Sequence, residues 1–114
     1  MYQTTVFITF QLEGIHNWPA AKDVFPDVGF LSDRHRHIFH FRLEKQVNHD
    51  DRDIEFIRFK RQVINYLTSK YGFPTCLFNS MSCEMIAKEL LEQFECELVE
   101  VSEDGENGAK IIRI

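Results

Sequence analysis

The hydrophobic period of this chain changes twice, from two to nearly four and back to two, and that order limits the folds open to it. Between Tyr2 and Leu12, Val6, Ile8, Phe10 and Leu12 share one parity, as in a strand with one face turned inward; Gly14 then breaks the regularity just before His16. A loop punctuated by Pro19, Pro26 and Gly29 leads to a second strand from about His35 to Val47, where Phe39, Phe41 and Leu43 point one way. The polar turn from Asn48 to Asp53 follows, and its aspartates suit a helix N-cap. From about Asp53 to Lys70, Phe56, Phe59, Val63, Tyr66 and Leu67 recur at helical spacing, and Gly72 is placed to end that helix. Ser82 then caps a second helix with Met85, Ile86, Leu90, Leu91 and Phe94 on its inner face. Cys96 to Ser102 alternates again, Asp104 to Gly108 makes a turn, and Ala109 to Ile114 forms a last strand. The order β-β-α-α-β-β predicts an α+β fold, a four-stranded antiparallel sheet with two helices on one face. A βαβ crossover does not fit, because strands and helices do not alternate.

At 114 residues the chain has room for one domain, residues 1–114, and one core. No apolar run approaches the ~20 residues of a membrane span, and no basic, apolar leader opens the chain, so neither membrane insertion nor secretion is expected. Three cysteines, Cys76, Cys83 and Cys96, are an odd number without a pairing motif, which points to a reducing cytoplasm. A net charge of −5 makes nucleic acid an unlikely partner, since neutralising phosphates takes a basic face. Apolar residues fall on both parities of several strands, Phe7 among them, so the sheet face away from the helices is expected to meet another subunit.

His35 and His37 stand one residue apart on a strand, so both imidazoles project from one face, that of Phe39, Phe41 and Leu43. His16, past the end of the neighbouring strand, can supply a third nitrogen. Three nitrogens with an open fourth position is the arrangement of a catalytic zinc. Two hydrogen-bonded loop histidines would give the same spacing, and the residues alone leave both readings open. His40 has the wrong parity and His49 sits in an acidic turn; both are read as surface residues. Glu103 continues the inward parity of Val99 and Val101. It is either a buried carboxylate awaiting the N–H donors of a ligand, such as a pterin or guanine edge, or a solvated residue at the start of the turn.

These positions resemble, together, the 6-pyruvoyl-tetrahydropterin synthase and 6-carboxytetrahydropterin synthase family. Phe10 to His16 is similar to the family's first strand with its closing histidine, and His35-Arg36-His37 to its His-Gly-His. Ile54-Glu55-Phe56 with Phe59-Lys60 is similar to the opening of its first helix. Met81 to Ala87 resembles the start of its second helix, and Val99 to Glu103 its third strand. The resemblance implies a tunnelling fold whose sheets close into an oligomeric barrel, Zn2+ on His16, His35 and His37, a pterin anchored by Glu103, and Ser82 and Cys83 bordering its pocket. It implies a zinc-dependent lyase, a homo-oligomer acting on or binding a dihydroneopterin-type or purine-derived small molecule. The departures are specific: the family's cysteine position is Leu31, its Asp-His pair is replaced by Lys70-Tyr71-Gly72-Phe73, and Arg36 stands where it has glycine. Neither Cys76 nor Cys83 transfers onto the missing cysteine. The candidates left for a base are Asp33, near the ligands, and a zinc-bound hydroxide. The alternative is a catalytically silent tunnelling-fold protein that binds a ligand or serves in assembly.

Overall fold

The computed structural model describes all residues, 1–114. Two 12-residue strands, β1 (Thr5–His16) and β2 (His35–Gln46), pair antiparallel along their whole lengths, His16 opposite His35 and Gly14 opposite His37. Helix α1 (Ala21–Val24) and a 3-10 segment (Pro26–Ser32) occupy the loop expected between them. Helix α2 (Phe56–Tyr71), strand β3 (Cys76–Asn79), helix α3 (Cys83–Phe94) and the hairpin β4 (Leu98–Glu103) and β5 (Asn107–Ile112) complete the chain. The sheet is therefore five-stranded and mixed, in the order β3-β1-β2-β4-β5, rather than four-stranded and antiparallel. Its added member, β3, lies parallel to β1. Four residues give too short an alternation to stand out in sequence, but Cys76 and Phe78 are fully buried, and that burial holds the strand in place.

Both long helices pack on the sheet face that carries Ile8, Phe10, Phe39 and Leu43, with Leu67 of α2 and Leu90 of α3 at the centre of the core. Met85 and Phe56, expected inside, are exposed instead; each lies in the first turn of its helix. The N-cap of α2 is also not an aspartate of the preceding turn. Glu55 caps it, its carboxylate accepting from the backbone N–H groups of Ile57 and Arg58. Gly72 ends α2 at φ 117°, a left-handed conformation that favours glycine, and the Ser82 hydroxyl caps α3 by accepting from Met85 N–H.

Gly14 does not break β1, which runs on to His16. A Cβ there would come within 2.7 Å of Phe78 and 2.8 Å of Phe39, so glycine lets two buried rings meet over the strand. Their ring centroids are 5.0 Å apart. This aromatic floor lies directly beneath the end of the sheet where the histidines gather. No helix is long and apolar enough to cross a membrane.

Candidate metal centre and cleft

Register brings four side chains to one end of the sheet. His16 closes β1 opposite His35, His37 follows two residues along β2, and Glu103 closes β4 opposite Phe39. All four are on the helix-facing side, as strand alternation requires. One nitrogen or oxygen from each lies within 4.8 Å of the others, a set that can hold a metal ion. The imidazole centroids are 4.7 Å apart for His16 and His35, 5.0 Å for His35 and His37, and 5.5 Å for His16 and His37. Phe39 stands edge-on to His16 at 5.1 Å and forms the apolar floor.

The second nitrogen of each ring fixes what the first can do. His16 Nδ1 lies 2.8 Å from the Met81 carbonyl oxygen, and His35 Nδ1 lies 2.8 Å from that of Asp33. A carbonyl only accepts, so both Nδ1 atoms carry the proton and donate. His37 Nδ1 sits 2.8 Å from Asp104 Oδ2, and donates to that carboxylate. In the neutral form of each ring the lone pair is thereby left on Nε2, the tautomer in which a metal-binding histidine is held by its outer partner. The Nε2 atoms of His16 and His37 are buried without a hydrogen-bond partner. Buried polar atoms are rarely left so, and a cation is the partner their lone pairs fit.

Glu103 supplies negative charge at the same point. Its Oε2 is 2.7 Å from His16 Nε2, and Oε1 is 3.6 Å from His37 Nε2. The nearby His16 holds the Glu103 carboxyl below the usual range, against the opposing effect of burial. Burial works against charge on His16, but Glu103 and the Met81 carbonyl outweigh it and raise its affinity for a proton. His40, on the other sheet face, and His49, 3.5 Å from Asp53 in the turn, take no part.

A cleft of about 470 Å³ opens beside His16, His35 and Glu103, walled by Trp18, Leu31, Ser82 and Cys83. Cys83 is 7% exposed and its thiol is pushed up to about 12, by burial first and then by the nearby Glu103 and Glu84 carboxylates. It is an uncharged wall residue at neutral pH.

No family model and no curated protein matches the sequence. Among solved structures, the 6-pyruvoyl tetrahydropterin synthase of Caenorhabditis elegans matches with a TM-score of 0.72 at 12% identity, over 100% of both chains. The chain has the 6-pyruvoyl tetrahydropterin synthase fold. An uncharacterized protein from Wolinella succinogenes matches over 100% of both chains as well, with a TM-score of 0.64 and 13% identity. On this tunnelling fold, Leu31 contributes a hydrocarbon wall to the cleft, and Asp33 meets the histidines through its backbone carbonyl. His16, expected just past its strand, is the strand's last residue. Sequence reading passed over Asp104, taken with the turn, and the carbonyls of Met81 and Asp33. Backbone acceptors leave no mark in residue identity; Asp104 did leave one, a second acid directly after an inward-facing glutamate.

Proposed function

We propose that this chain is a zinc protein of the 6-pyruvoyl tetrahydropterin synthase fold, with His16, His35 and His37 as ligands, and that its cleft receives a dihydroneopterin-type or related purine-derived compound. One observation carries the reading: three imidazoles have their Nδ1 protons committed to Met81, Asp33 and Asp104, and one ligand atom from each lies within 4.8 Å of the others. Bound zinc would act as a Lewis acid on a hydroxyl or carbonyl oxygen of the ligand. In the cleft, Glu103 offers a carboxylate to ring N–H donors, Ser82 and Cys83 form the wall at the start of α3, and Trp18 adds an aromatic surface. Three unpaired, buried thiols suit a reducing compartment.

A second reading, a catalytically silent ligand binder, is favoured by Leu31 in the cleft wall and by a Cys83 thiol that stays protonated. Metal analysis of the purified protein is expected to find one zinc per chain, lost in His35→Ala and His37→Ala. Zinc retained in both variants overturns the ligand assignment. Turnover of dihydroneopterin triphosphate by the zinc-loaded protein supports the lyase; calorimetric binding of a pterin without turnover supports the silent binder.

A further inference from the structure

The glutamate that could face a ring also faces the histidines, and far more closely than ring recognition requires. With His16 Nδ1 donating to Met81, a neutral His16 presents its Nε2 lone pair to Glu103 Oε2 across 2.7 Å. Two lone pairs at that distance repel, so a positive charge has to lie between them, either a proton on Nε2, as in a His16–Glu103 ion pair, or a metal ion; no aligned ring N–H hydrogen bond is formed. His37 Nε2 is in the same position, 3.6 Å from the other carboxylate oxygen and likewise unpartnered. A cation between the carboxylate and the rings turns every one of these contacts attractive. Ligand atoms around a tetrahedral zinc stand about 3.3 Å apart, given bonds of ~2.0–2.1 Å. The 2.7 Å and 3.6 Å contacts bracket that spacing, so small side-chain rotations complete the site.

We propose that Glu103 is the fourth protein ligand of the metal in the ligand-free protein, giving a closed His₃Glu centre in place of a His₃ site with an open position. The proposal rests on reading the three histidines as a metal site. It adds a consequence for the cleft: a Glu103 carboxylate engaged by the metal is not free to pair with ring N–H groups, so metal and heterocycle compete for it. Four protein ligands are the pattern of a metal that holds structure, and an open position is the pattern of one that does chemistry. Ring capture by Glu103 would therefore also vacate a coordination position.

The test uses the full-length protein stripped of metal and titrated with Co2+ alone, whose visible spectrum reports coordination, with zinc competition for affinity. Wild type is expected to show a four-coordinate spectrum. Glu103→Gln and Glu103→Ala, with water in place of the carboxylate, are expected to shift that spectrum and to bind at least ~10–100-fold more weakly, the loss that removing even a supporting partner produces. Circular dichroism of the metal-free proteins confirms that each variant folds. If both Glu103 variants match wild type in spectrum and affinity while His35→Ala loses the metal, the histidine site stands and Glu103 is not a ligand. If wild type binds no Co2+, the metal reading falls and the proposal with it.

Discussion

Asp104 does its work one bond away from the site. Its Oδ2 accepts from His37 Nδ1 at 2.8 Å, its Oδ1 accepts from Ile38 N–H at 2.9 Å, and its own N–H donates to the Ile38 carbonyl at 2.7 Å. It is therefore pinned to β2 through three bonds, and it sets both the tautomer and the orientation of His37. The Ile38 amide and His37 hold its carboxyl below the ordinary value, so the negative charge persists at neutral pH. Asp104→Asn keeps the shape but can present an amide N–H where His37 needs an acceptor. Such partners are typically worth ~10–100-fold in metal affinity. Zinc affinity, measured by chelator competition, is expected to fall by that factor with the fold intact; an unchanged affinity would show that His37 needs no such support. Of the four side chains that converge, strand parity assigned a face to His35, His37 and Glu103, though it left Glu103 open to being a solvated turn residue, whereas His16 was placed only as the residue past the end of its strand. What could not be read was how closely Glu103 approaches His16, since parity fixes a side but not a distance. The role of Asp104 depends on a tight turn whose Asp104 φ is 58°, a local conformation that composition does not dictate.

At the scale of elements, a polar cluster ties the two long helices together. Glu89 of α3 accepts from Tyr71 at 2.6 Å, from Tyr66 at 2.7 Å and from Lys70 at 3.0 Å, all three at the end of α2. Burial works to raise the Glu89 pKa, but these hydrogen bonds outweigh it and lower it from the ordinary 4.5. A carboxyl depressed in the folded state contributes stability that is full above its unfolded value and is lost as pH falls through the lower folded one. Glu89→Gln is therefore expected to cost about 1.5–3 kcal/mol at pH 7, the range for hydrogen bonds to a charged group. The gap from wild type should close as pH drops below 4.5, the direction set by that shift. Urea denaturation at several pH values measures it, and a gap that stays constant into acid would rule out the carboxylate as its source. The helices themselves were legible from their periodicity, and so were the Ser82 and Gly72 caps, whose residue types suit those positions. Strand β3 was not, because its reason to exist is tertiary: Phe78 completes a floor with Phe39, and only the folded sheet brings the two together. The same contact explains why Gly14 looked like a break. In sequence a glycine reads as a loss of pattern, whereas here it is the room two rings need.

For the whole molecule, the question is what covers the surfaces one chain leaves open. The sheet face away from the helices, expected from strand parity to carry Phe7 and other apolar groups, mixes them with charged ones. One row across β1, β2, β4 and β5 runs Phe7, Glu44, Leu98, Ile112, and the next runs Thr9, Arg42, Glu100, Lys110. Arg42 lies over the Phe7 ring at 3.9 Å, so even that phenylalanine is partly sheltered by a cation. Larger apolar exposure lies in the segment joining β1 to β2, at the end of the sheet that holds the histidines, where Val24 is 52%, Phe25 55% and Phe30 67% exposed. Strands β3 and β5 also have unpaired outer edges, which invite pairing with another chain. Apolar burial yields ~25 cal/mol per Å², so three such side chains per subunit favour association by a few kcal/mol before the entropic cost of docking. With edges to pair and apolar groups beside the cleft to cover, a second copy of this chain is the partner that satisfies both at once. A symmetric homo-oligomer is therefore expected. Light scattering at micromolar concentration should give a mass several times 13.5 kDa. Because the exposed phenylalanines flank the cleft, Phe30→Asp should lower that mass while leaving zinc on the histidines, which come from one chain. A wild-type protein that stays monomeric across the concentration range would defeat the expectation.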